Sequence, residues 1–207
     1  MLTTAFVLRF NAGKDEKPEY SVTFHDLDGN ELIVRKVRHG DFAIPPDNLQ
    51  FSANQAFLNW GNPLYPARDD VSCYPSIDDV SDGTNVFFVN TMYIQKGNIK
   101  QLQLQIGGQV ALDELEIELH YNSRMLKYKS AFSTLGNVKT VKKGVVRFTL
   151  KPGEILDSPC ALADIEFKAV GKAFTYGEFA LEVNTAQINS TPATFERIKT
   201  HVFIYKP

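Results

Sequence analysis

The feature that most constrains this chain is alternation. Leu102-Gln-Leu-Gln-Ile106 and Leu115-Glu-Ile-Glu-Leu119 switch between apolar and polar at every step, and Ala180-Leu-Glu-Val183 does so in part. Side chains on a strand point to opposite faces in turn, so this pattern fits a sheet with one face on a core and the other in solvent. Further strand candidates are Ala5–Phe10, Tyr20–Phe24, Leu32–Val37, Val86–Asn90, Val145–Leu150, Ile165–Val170 and His201–Tyr205, punctuated by turn residues such as Asp28-Gly29 and Pro152-Gly153. One stretch, Ser123–Leu135 with Leu126, Phe132 and Leu135, has a weak helical spacing. The fold class expected is mainly β.

Composition sets the outer limits. With 207 residues the chain fits one or two domains, and 43% hydrophobic with 12% aromatic residues is the make-up of a folded protein. A net charge of −2 offers no global attraction to nucleic acid or to an anionic membrane. No apolar run approaches the roughly 20 residues of a membrane span. Cys73 and Cys160 are too far apart for a CxxC zinc site. The start, Met1-Leu-Thr-Thr-Ala-Phe-Val-Leu-Arg-Phe10, lacks the pattern of a secretory leader, and the chain is expected not to be a secretory precursor.

The charge is unevenly spread. Residues 1–84 hold 7 Lys and Arg against 13 Asp and Glu, net −6, while residues 85–207 hold 15 against 11, net +4. Between them, Pro75–Asn85 is rich in Asp, Ser and Gly, a linker-like composition. The expected organisation is an added strand and loop over 1–19, a small module over 20–76, a linker over 77–85 and a larger module over 86–207.

The larger module carries an ordered series of elements: Ile94-Gln-Lys-Gly97, Leu102–Ile106, Leu112–Tyr121-Asn122, Leu126-Lys-Tyr128, Gly144-Val-Val-Arg-Phe148 and Leu162–Val170. In order and spacing they resemble a cohesin-type β-sandwich. That resemblance implies two face-to-face antiparallel sheets, immunoglobulin-like in build, and no active site; for cellulosomal cohesins it implies a dockerin, a small calcium-binding helical pair, as ligand. The family's Tyr-Asp-Pro is Tyr121-Asn122-Ser123 here, which puts the identity of the partner in doubt.

In the smaller module, Tyr20-Ser-Val-Thr-Phe24 leads through Asp28-Gly29 to Leu32–Val37, then Gly40, Pro45, Ala56–Trp60 and Val71–Tyr74. This resembles a single internalin B-repeat, a β-grasp-like unit of Gram-positive surface proteins. A lone copy implies a spacer or docking unit.

No catalytic signature is present: the chain lacks a GxSxG elbow, a phosphate loop, a GxGxxG after a strand and an HExxH. His25, His39, His120 and His201 are scattered, none with a second histidine or a cysteine at ligand spacing. Asp69, Asp70, Asp78, Asp79 and Asp82 crowd within fourteen residues and are the calcium candidates, although a solvated loop is the simpler reading. Trp60, Tyr65 and Tyr74 are candidates for a carbohydrate platform, against a core role for the single Trp. Lys139, Lys142, Lys143, Arg147 and Lys151 gather around one hairpin, and the first four, with Ala5, Val7, Leu8 and Phe10, are the partner-binding candidates.

The sequence therefore favours a non-enzymatic structural or adhesion protein. Both modules resemble extracellular building blocks while the start lacks an export signal, so the leading reading is a phage virion accessory protein (head decoration, neck or tail) with the first module docked on the particle lattice. The alternative is a cell-surface or cellulosomal cohesin module binding a dockerin, and a carbohydrate-binding module comes third. The partner expected is a protein, with a host-surface glycan or a second copy of the chain as further possibilities, and no catalytic cofactor.

Overall fold

The computed structural model describes residues 17–46, 55–61, 66–79, 86–107, 110–151, 155–156, 160–188, 191–192 and 196–206. All regular structure among them is strand.

The first module opens with the hairpin of β1 (Glu19–His25) and β2 (Glu31–Arg38). Its turn is built by Asp26, whose Oδ1 accepts from the backbone N–H groups of Asp28 (3.0 Å) and Asn30 (2.8 Å), while Gly29 takes φ +85°. β3 (Gln55–Asn59), β4 (Val71–Cys73) and β5 (Ser76–Asp79) follow. β4 lies parallel to β1, and β5 pairs antiparallel with β3. The span expected as a linker from 77 thus begins in a strand: Ile77 faces Phe57 across the β3–β5 pair, an apolar position hidden in an Asp-rich run. The residues after Asp79, up to 85, lie outside the described set.

The second module comprises β6 (Val86–Val89), β7 (Met92–Gln95), β8 (Ile99–Gly107), β9 (Val110–Tyr121), β10 (Leu126–Phe132), β11 (Gly136–Lys142), β12 (Val145–Leu150), β13 (Ile155–Leu156), β14 (Cys160–Ala169), β15 (Thr175–Ile188), β16 (Thr191–Pro192), β17 (Glu196–Arg197) and β18 (Thr200–Tyr205). One sheet runs β10-β14-β8-β6-β17; the other runs β11-β12-β9-β15-β18-β7, with the short β13 on β9 and β16 on β15. The alternation decides what lies between them. Leu102, Leu104 and Ile106 of β8 meet Leu115, Ile117 and Leu119 of β9, with Phe148 and Phe167, in one buried cluster. Each such side chain contributes about 1.5–3 kcal/mol on burial.

Ser123–Leu135 is not helical but a turn followed by β10. Asn122 begins that turn: its backbone oxygen accepts from Met125 and Leu126, and its Oδ1 accepts from the N–H of Arg124 at 3.0 Å. The amide does the local work a carboxylate would do there, so the departure from Tyr-Asp leaves the turn intact.

The modules share a second core. Phe24, Phe57, Trp60 and Cys73 of the first pack with Tyr93 of β7 and with Phe203 and Tyr205 of β18. These two strands are apolar on both faces, Met92, Ile94, Val202 and Ile204 pointing into the sandwich and the aromatic residues pointing out. Polar bonds fix the seam: the Trp60 N–H donates to Tyr93 Oη at 3.1 Å, the Phe57 N–H to Asn90 Oδ1 at 3.0 Å, and the Thr91 hydroxyl to the Leu58 carbonyl. Burial pushes the Tyr93 phenol well above its ordinary pKa and the Cys73 thiol up to about 11. At the far side of the seam Phe42 stacks on Phe174, ring centroids 4.6 Å apart, with Phe174 held at φ +57°.

Candidate functional site

The first module covers β7 and β18 of the larger sheet, and among the described residues no other element packs on the same outer face over β15, β9, β12 and β11. On β9 the inward Leu115, Ile117 and Leu119 leave Glu114, Glu116, Glu118 and His120 on the outer face. Register then decides their neighbours. Arg147 of β12 and Glu182 of β15 stand on either side of Glu118, and Lys139 of β11 stands beyond Arg147.

The resulting ladder is well ordered. Arg147 donates from Nε (2.8 Å) and Nη2 (2.6 Å) to Glu118 Oε1, and its Nε lies 3.6 Å from Glu116 Oε1. Asn184 donates to Glu116 Oε1 at 3.1 Å, and Lys151 pairs with Glu114 at 3.2 Å. The Arg147 hydrogen bonds hold the Glu118 carboxyl below its usual range against the opposing effect of desolvation, and Glu118 in turn raises the Arg147 guanidinium. His120 Nε2 lies 3.2 Å from Oε2 of both Glu118 and Glu182. Such a face can recognise a partner by complementary charge.

Of the residues singled out from the sequence, Lys139 and Arg147 are brought together as cross-strand neighbours, and exposed Lys142 and Lys143 continue from Lys139 around the β11–β12 hairpin. Arg147, however, is engaged by Glu118 and Glu116 rather than presented free. Ala5, Val7, Leu8 and Phe10 lie outside the described residues, as do Tyr65 and Asp82. Trp60 is corrected from a candidate carbohydrate platform to a core residue: it is 1% exposed, edge-on to Phe24 and Phe57. Tyr74 is exposed and stacks on His25 at 4.5 Å.

The calcium candidates do not converge among the described residues. Asp70 Oδ1 is engaged by the N–H of Ser21 at 2.7 Å, and Asp78 and Asp79 are successive residues of β5, so they point to opposite faces. A groove of about 340 Å³ at the seam is lined by Asn90, Lys100 and Gln103 among others, but these polar groups are already bonded to Phe57, Tyr93 and Asp164.

Glu116, Glu118 and Glu182 were not singled out from the sequence, and His120 was set aside there as one of four scattered histidines. The signal available was Glu118-x-His120 on an alternating strand, which puts both side chains on one face; the third partner comes from register alone.

No family model and no curated protein matches the chain. Solved structures do match its fold. The sixth cohesin of scaffoldin B from Acetivibrio cellulolyticus, solved in complex with a Cel5 dockerin, is 12% identical with a TM-score of 0.53, over 58% of this chain and 99% of that one. The second module has a cohesin-type fold. A type I cohesin from Pseudobacteroides cellulosolvens (11% identity, TM-score 0.54, 60% of this chain and 94% of that one) matches similarly. So does a non-cellulosomal cohesin from Archaeoglobus fulgidus (12% identity, TM-score 0.51, 58% and 91%). At such identities the likeness speaks for the fold of the cohesin-like module.

Proposed function

We propose that the protein is a non-enzymatic binding module whose cohesin-like sandwich seats a protein partner, a dockerin or a dockerin-like helical pair, on the outer face of β11, β12, β9 and β15. The observation that carries this reading is the division of one sheet face: the half over β7 and β18 is already filled by the first module, and the other half presents an ordered charge ladder with Lys139, Lys142 and Lys143 at its rim. Several of the structures of the same fold were solved with dockerins bound, which supports a protein as the ligand class. The first module serves as a rigid spacer of the B-repeat kind, a reading supported by the Asp28-Gly29 hairpin and the Trp60 core. An extracellular or cell-surface setting goes with this function. The fold adds no support to the virion reading.

The test is titration of the full chain against a panel of dockerins in calcium-containing buffer by calorimetry. Binding by at least one dockerin, weakened at least about tenfold by Lys139→Glu, is expected; reversing a charge at the rim of a partner surface changes association and salt dependence. Absence of binding across the panel would overturn the dockerin assignment.

A further inference from the structure

We propose that Glu118, His120 and Glu182 form a zinc-binding site on the open half of the larger sheet. Their donor atoms all lie within 4.8 Å of one another, and His120 Nε2 is 3.2 Å from the nearer oxygen of each glutamate. Tetrahedral zinc with bonds of about 2.0–2.2 Å sets ligand atoms roughly 3.3–3.6 Å apart, so the two distances from His120 are within a few tenths of an ångström of what the ion requires, and the two glutamates lie close enough to meet the same ion.

The surroundings fit a cation better than the bare side chains fit each other. Register puts Glu118 directly opposite Glu182, a like-charge pairing that destabilises a sheet. His120 Nε2 is withdrawn from solvent yet, despite its short distances, makes no hydrogen bond of acceptable alignment to either oxygen. A single ring N–H serves one carboxylate well and not two, whereas a ring lone pair and two carboxylate oxygens can share one ion. Arg147 holds Glu118 by Oε1 alone and leaves Oε2 facing the cluster, the kind of outer contact that orients a ligating carboxylate.

The donor set also selects the ion. Two carboxylates and a neutral imidazole carry a charge of −2 that a divalent ion cancels. Three protein ligands of mixed N and O suit zinc with its fourth position open to water or to a partner's side chain. Calcium, which takes six to eight oxygens, is poorly served. The site does not depend on the dockerin reading, and the two are measured separately.

The experiment is equilibrium dialysis of the metal-free full chain against zinc chloride, with metal measured by elemental analysis and cobalt(II) used in parallel as a visible-absorption probe of tetrahedral coordination. Stoichiometric uptake and a tetrahedral cobalt spectrum are expected for the unaltered chain. His120→Ala and Glu182→Gln should each weaken uptake by more than about 100-fold, beyond the roughly 10–100-fold typical of an outer-shell change such as Arg147→Gln. Glu182 is 58% exposed at its side chain, so its variant is expected to fold, with circular dichroism as the control. No uptake by the unaltered chain, or uptake left unchanged by both ligand substitutions, would overturn the site.

Discussion

One face of one sheet is used in two ways. Over β7 and β18 its outward residues are Tyr93, Phe203 and Tyr205, buried under the first module. Over β9, β12 and β15 they are Glu118, Arg147 and Glu182, charged side chains that no other module packs upon among the described residues, with Glu118 screened by the Arg147 that it pairs with. The inward residues of both halves are large apolar side chains of one shared core. What separates a permanently covered half from an open one is therefore the outward half of the alternation alone. An aromatic row commits the sheet to a fixed neighbour, because exposing it costs hydrophobic free energy. A charged row carries no such cost, because its groups can face water.

The sharpest way to break this contrast is at the covered half. Trp60→Ala, which empties the centre of the shared core, should lower stability by about 3–5 kcal/mol in chemical denaturation; a loss below about 1 kcal/mol would mean the first module is not held by that core. Tyr93→Phe keeps the ring and removes only the oxygen that accepts the Trp60 N–H. It should cost about 1–3 kcal/mol, the penalty of a buried donor left unmatched, and an unchanged denaturation midpoint would argue that the seam is not closed to water. On the open half the same assay should barely respond: Lys139→Glu, at an exposed strand position, is expected to stay within about 0.5 kcal/mol of the unaltered chain while weakening partner binding. A large stability loss there would show that the two halves are not as different as their residues suggest.

Much of the sandwich was legible because its strands alternate. Val145–Leu150 matches β12 end to end, and Leu102–Ile106 and Leu115–Leu119 lie within β8 and β9. The helical spacing of Ser123–Leu135 was outweighed by the Asn122 turn, which delivers the chain straight into pairing with β14. The shared core was harder to read. Met92-Tyr-Ile94 and Val202-Phe-Ile-Tyr205 are apolar without alternation, a mark of strands buried on both faces, yet nothing local says what lies on the second face. The candidate site was harder still. Glu118 and His120 are separated by one residue, but Glu182 reaches them only through the β9–β15 register, a fact of pairing that spacing along the chain does not contain.

The strand β18 has a kinetic consequence. It sits between β15 and β7 in the sheet, and alternate residues of its six supply both cores, Val202 and Ile204 to one and Phe203 and Tyr205 to the other. Its parallel partner β7 lies more than a hundred residues earlier in the sequence. Neither module can complete its interior until this loop has closed, and contacts of such separation slow folding. The two modules are thus tied into one folding event, finished late by a segment that both of them await.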